Sequence, residues 1–182
     1  MNRQNGFTLV ELMTTLAIVV IVMTVGIPSF ATLIQNNRMT ATINDFVTDL
    51  NLARSEAIKR GTRVTVCKSN DGQSCTDDGD WSQGWLIFVD NAAENATVDD
   101  GEIILRIHEK LRDTNSSLIG NQRVDDYISY VSTGFSRQTS GGIQNGTLIY
   151  CDDRGDTHAK ALVLNNTGRI NINDNIAEGS CT

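Results

Sequence analysis

The reading of the chain turns on residues 6–34, GFTLVELMTTLAIVVIVMTVGIPSFATLI. From Phe7 to Ile34, 28 residues carry a single charge, Glu11. At about 1.5 Å of rise per residue, a helix of that length reaches about 42 Å, more than the roughly 30 Å of a bilayer's hydrocarbon core. The segment can therefore span a membrane. Gly26 and Pro28 stand two-thirds of the way along it. Proline lacks the N–H that a helix interior uses and its ring collides with the preceding turn, so a kink or local melting is expected there. Before the run lie only Met1–Gly6, with one cation at Arg3 and no small-residue cleavage site beyond the apolar stretch. An ordinary secretory signal would be cut on the far side of that stretch, which would remove the whole stem. A carboxylate at Glu11 costs about 2.5–3.5 kcal/mol on membrane-insertion scales and so requires a partner.

The rest of the chain is of a different character. With 182 residues, 40% hydrophobic, 15 Gly and one Pro, the chain has room for one ordinary core and is neither collagen-like nor disordered. Fifteen Lys+Arg against 22 Asp+Glu give a net charge of −7, which excludes a broad electrostatic footprint for nucleic acid. After the stem, Ile43, Phe46, Val47, Leu50, Ala53, Ala57 and Ile58 recur at helical spacing, while Asn44, Asp45, Asp49, Arg54, Glu56 and Lys59 fill the other face. That stripe is expected to pack on a sheet, and Lys59, Arg60 and Gly61 to end the helix. Beyond Gly61 the period falls to two. Strands are expected at 62–68, 85–90, 102–109, 127–132, 147–151, 159–165 and 169–172, separated by Gly, Asn and Asp clusters. In 102–109, Ile103, Leu105 and Ile107 are expected to point one way and Arg106 and His108 the other.

The hexapeptide Gly6-Phe7-Thr8-Leu9-Val10-Glu11 resembles the processing site of type IV pilins and type II secretion pseudopilins. The resemblance implies that a prepilin peptidase cuts after Gly6 and methylates the new amine of Phe7, which makes 1–6 a leader peptide. It also implies that Glu11 pairs with the N-terminal ammonium of a neighbouring subunit and sets the axial stagger of a filament. A buried charge pair fixes register better than it adds stability. Gly84-Trp85-Leu86-Ile87-Phe88-Val89-Asp90, followed by Asp99-Asp100-Gly101-Glu102-Ile103-Ile104, is similar to the GspH/FimT family of minor pilins and pseudopilins.

That family implies an α+β, type IV pilin-like fold, a long N-terminal helix packed on antiparallel sheets. The segments would be a hydrophobic transmembrane and assembly helix at 7–34 and a soluble body at 35–182, made of an amphipathic helix 35–60 and a β-rich part 61–182. The implied work is structural rather than enzymatic and uses no cofactor. A minor pilin near the tip of type IV pili would help to initiate their assembly and serve twitching motility, adhesion or DNA uptake; the alternatives are a GspH-type minor pseudopilin of a type II secretion system and, from another class, a DNA-binding pilin component for natural transformation. Partners would be the prepilin peptidase and other minor pilins with the major pilin, or pseudopilins. The chain would sit once through the bacterial inner membrane, body in the periplasm, and then join a pilus or pseudopilus.

Four cysteines in a body outside the cytoplasm favour disulfides, and of three connectivities Cys67–Cys75 and Cys151–Cys181 is the expected one. The four lack the C-x₂-C pair of a zinc site. Asp90, Asn91, Glu94, Asp99, Asp100 and Glu102 gather hard oxygen ligands but lack the spacing and central glycine of a calcium loop. His108 and His158 are far apart, and no nucleophile motif or phosphate loop accompanies them. Some members of the FimT branch bind DNA through a C-terminal Gly-Arg-x-Arg motif, which gives Arg169, Arg154 and Lys160 as candidates here. The chain has Gly168-Arg169-Ile170-Asn171, with asparagine for the second arginine and with Asp174 and Glu178 in the tail. Affinity grows with the number of neutralised phosphates, so DNA is the disfavoured partner.

Overall fold

The computed structural model describes residues 6–112, 115–121, 123–174, 176, 180 and 181; leader residues 1–5 and Glu178 of the tail lie outside the described residues. Two compact units divide between Ala41 and Thr42. The first is helical: α1 spans Leu9–Ile21, a π-helical turn spans Val22–Gly26, and α2 begins at Ile27 and runs to Arg60. The helix does not melt at Pro28; it widens just before it. In a π-helical turn a carbonyl reaches the residue five positions on, so the Thr24 carbonyl does not depend on the N–H that Pro28 lacks. No residue of α1 is buried. The hydroxyls of this stretch bond back to the helix itself, Thr14 to Glu11 O, Thr15 to Leu12 O, Thr24 to Val20 O and Thr32 to Pro28 O. Among the described residues this helical stretch is long and apolar enough to cross a membrane. These four hydroxyls, bonded to the helix itself, add little polar cost in lipid.

In the second unit, Ile43, Phe46, Leu50, Ala53 and Ala57 of α2 are buried, at spacings of three and four. Phe46 meets the edges of Trp81 and Trp85 at ring-centroid distances of 5.2 and 4.9 Å. Each such side chain contributes about 1.5–3 kcal/mol through burial. Two members of the helix depart from the amphipathic pattern. Ile58, expected on the buried stripe, is 53% exposed, and Asp49, expected on the polar face, is buried. Asp49 is tolerated because Trp85 Nε1 donates to Oδ2 at 2.8 Å and Arg106 donates to Oδ1 at 2.6 Å. The helix ends where the Gly61 N–H returns to Ala57 O.

The strands are β1 (Val64–Lys68), β2 (Trp85–Val89), β3 (Ile104–His108), β4 (Ser117–Gly120), β5 (Tyr127–Tyr130), β6 (Gly146–Cys151), β7 (Lys160–Leu164) and β8 (Ile170–Asn173). They form two antiparallel sheets, ordered β3-β2-β1-β5 and β4-β6-β7-β8. β4 is not among the expected strands. It is four residues long with one buried side chain, Leu118, too little to register as a period. The alternation expected along 102–109 also fails at one point. Phe88 pairs with Ile104 and Ile87 with Arg106, so a bulge at Leu105 puts Ile104, rather than Leu105, on the face of Ile107. Gly84, ahead of β2, has φ +116°, and a Cβ there would lie 2.7 Å from His108 O.

The outer face of the first sheet carries a small core of its own, in which Cys67, Leu86 and Phe88 pack with Cys75, Val98, Ile104 and Tyr127. Disulfides join Cys67 to Cys75 and Cys151 to Cys181. The first closes the loop after β1; the second ties the C-terminal tail to the end of β6. Lys68 is buried inside the first loop, with its ammonium on Asp77 O and Gly79 O at 3.0 Å and on Asp126 Oδ1 at 2.9 Å. A buried cation held by two carbonyls and a carboxylate organises that loop instead of destabilising it.

Candidate processing and assembly site

Helix α1 begins at Leu9, with Thr8 as its cap. The Thr8 N–H and hydroxyl both donate to Glu11 Oε2, at 2.8 and 2.9 Å, and the Glu11 N–H returns to Thr8 Oγ1 at 3.2 Å. This reciprocal capping box satisfies helix-end donors that would otherwise be orphans. It also gives the Glu11 carboxylate a partner within its own chain. Thr8 is not among the residues expected above to serve this site, although Thr8-x-x-Glu11 before an apolar run carries the signal.

The bond between Gly6 and Phe7 lies in non-helical backbone two residues ahead of the helix. The first helical hydrogen bond, Leu12 N–H to Thr8 O, begins beyond it. A peptidase would have no helical bond to break. Among the described residues nothing lies within 4 Å of where a Cβ on Gly6 would sit, and its φ is outside the left-handed region. The described residues leave room for a side chain there, so a requirement for glycine would come from an enzyme closing on the bond. Phe7 is 88% exposed, and Glu11 stands one turn further along.

The three candidate cations for DNA sit differently. Arg154 is gripped by Asp152, with Nε at 3.0 Å and NH2 at 2.6 Å from Oδ2, and that carboxylate holds the guanidinium above its ordinary range. Lys160 lies 2.6 Å from Asp174 across the β7–β8 pair. Arg169 is exposed, with its backbone N–H on Asn165 Oδ1. The preceding glycine has its own structural reason: Gly168 has φ +77°, and a Cβ would meet Gly134 O at 2.6 Å. Two of the three charges are thus neutralised by the protein.

The acidic loop after β2 is likewise committed to its own backbone. Glu102 accepts from the N–H groups of Asn91, Ala92 and Asp99, and Asp90 Oδ2 accepts from Thr65 and Ala96. Burial pushes the Asp90 carboxyl up, against the pull of those bonds. Among the described residues no group of three or more His, Cys, Asp or Glu is placed to hold a metal.

A family model described as type II transport protein GspH matches residues 42–168, and one described as the prokaryotic N-terminal methylation motif matches residues 1–27. No curated protein matches the sequence. Two solved structures of similar fold are both the type IV minor pilin FimU of Pseudomonas aeruginosa strain PAO1, in different crystal forms. One is 20% identical with a TM-score of 0.59, covering 81% of this chain and 98% of that one. The other is 18% identical with a TM-score of 0.56, covering 79% and 99%. At such identities the likeness is one of fold: a long N-terminal helix packed on two antiparallel sheets.

Proposed function

The chain belongs to the GspH family, and on that premise we propose that it is a minor pilin, a structural subunit that helps to initiate type IV pilus assembly and is incorporated near the filament tip. The observation that carries the reading is a coincidence along the chain. The methylation-motif match over 1–27 covers the non-helical Gly6–Phe7 bond and the Thr8–Glu11 box, and a body of pilin fold follows. In this reading a prepilin peptidase removes residues 1–6 and methylates Phe7. The apolar helix holds the subunit in the inner membrane with its body in the periplasm. On assembly, Glu11 exchanges or shares its Thr8 contacts with the ammonium of a neighbouring Phe7, fixing the stagger between subunits. The work is assembly, not turnover.

The description of the family as a type II transport protein favours a second reading, a GspH-type pseudopilin. Mass spectrometry of sheared surface filaments beside the membrane fraction separates the two. A substoichiometric, N-methylated Phe7 form in pili is the expected result. A processed form confined to the membrane, with pili present but lacking it, would replace the minor-pilin reading with the secretion reading.

A further inference from the structure

The chain has two histidines, and one of them is built into the body. His108, the last residue of β3, stands opposite Trp85 of β2, and the two rings stack at 3.8 Å with 9° between their planes. Trp85 is fully buried and its Nε1 is fixed on Asp49, so the imidazole has a rigid surface behind it. The edge of the ring is fixed as well, because Nδ1 lies 2.9 Å from Glu109 O. A carbonyl can only accept, so this contact places a proton on Nδ1 and leaves Nε2 of the neutral ring as a lone pair. Nε2 faces Asp45 Oδ2 of α2 at 3.9 Å. Two acceptors thus face each other, and what completes the pair is a cation: a proton on the imidazole, or a metal ion held by both.

The geometry favours the metal. A charge-assisted hydrogen bond would bring nitrogen and oxygen to about 2.7–2.9 Å. Two ligands on one tetrahedral ion, each about 2.0–2.2 Å from it, stand about 3.3–3.6 Å apart, closer to the separation found. Asp45, with its side chain 64% exposed, has the freedom to close the small difference. Support of an imidazole through its other N–H, onto a backbone carbonyl, is also the arrangement that orients a ligating histidine. The pair opens into a cleft of about 290 Å³ lined by Asp45, Thr48, Asp49, Arg106, Ile107 and His108. Its guanidinium, Arg106, lies 2.6 Å from Asp49, so that positive charge is spent on Asp49 rather than on Asp45. An imidazole nitrogen with a carboxylate oxygen is a donor set of borderline softness, suited to zinc or copper rather than to magnesium or calcium. Two protein ligands leave the other positions of such an ion open to water.

We propose that His108 and Asp45 form a binding site for a divalent transition-metal ion of the zinc or copper class, which clasps α2 to the edge strand β3. Both ligands belong to the second unit, so the site is the same whether the chain serves a pilus or a secretion machine. The test is titration of Cu²⁺ into the untagged full chain in detergent at neutral pH, read by tryptophan fluorescence. With the imidazole stacked on Trp85, a copper ion on Nε2 should quench that ring saturably. His108→Phe keeps a ring on Trp85 and should abolish the saturable quenching. Asp45→Asn should weaken the apparent affinity about tenfold, and His158→Gln should leave it unchanged. A large excess of Mg²⁺, which prefers oxygen ligands, should not displace the copper. Quenching that survives His108→Phe, is indifferent to Asp45→Asn, disappears with His158→Gln or yields to Mg²⁺ would overturn the site. Absence of saturable quenching would overturn it too, and the pair would then answer to protons alone. Where His108→Phe lowers the yield of folded protein, Zn²⁺ titration of the unaltered chain takes its place, read by NMR of the two imidazoles. The His108 signals should shift and those of His158 stay; equal shifts, or none, would overturn the proposal.

Discussion

Helix α1 and the β-sheets solve the hydrophobic problem in opposite ways. Along α1 every apolar side chain is exposed, and the one carboxylate is held only by its own helix cap. In the second unit, charged groups as buried as Asp49, Arg63 and Lys68 all find partners within the chain. One region gives its buried charges partners within the chain; the other exposes an apolar surface that, in the proposed reading, lipid and then neighbouring helices cover. Substitutions should therefore divide by readout, with the body reporting in folding and the N-terminal segment in processing and assembly.

The largest expected effect, and the cleanest test of that division, is Gly6→Ala. It should leave an uncut precursor on immunoblots while the denaturation midpoint of the detergent-solubilised chain stays put; a shifted midpoint would blur the distinction. Trp85→Ala should do the reverse, costing about 3–5 kcal/mol of body stability by chemical denaturation, since it removes a buried ring and takes the donor from Asp49 Oδ2, with cleavage after Gly6 still complete. Replacing both Cys151 and Cys181 by serine should cost about 3–4 kcal/mol, the loop-closure value for a separation of 30 residues, again without touching cleavage. The smallest effect belongs to Arg169→Ala. It should leave folding and processing unchanged and remove at most a weak, steeply salt-dependent DNA affinity, measured by titration at low salt. A large loss there would move DNA from the disfavoured partner to a principal one.

The division also explains what could be read from the sequence. The stem is legible because hydropathy and a short motif are local properties, and the buried stripe Ile43–Ala57 because it has a helical period. Seven of the eight strands overlap stretches that stand out as apolar runs between Gly, Asn and Asp clusters, whereas β4 has only Leu118 to bury and is held by its pairing with β6. The bulge at Leu105, the burial of Asp49 beneath Trp85 and the cage around Lys68 depend on residues that approach only after folding, so a single sequence carries no sign of them. Among the candidate DNA residues, the pairing of Arg154 with Asp152 is a matter of two positions, but Lys160 meets Asp174 only through the register of β7 on β8. Glu11 is the intermediate case: its own-chain partner Thr8 is written in the motif, while its proposed partner in the filament belongs to another molecule.

The most direct measurement is the filament-to-membrane ratio of the N-methylated subunit for Glu11→Ala against the unaltered chain, by quantitative mass spectrometry, with cleavage scored in the same samples. If the carboxylate serves register, Glu11→Ala is cut and methylated as before and its share in filaments falls about tenfold, a difference of about 1.4 kcal/mol. A cut Glu11→Ala subunit that enters filaments at the unaltered ratio would contradict the central claim, because the carboxylate would then serve only the helix cap that Thr8 already defines.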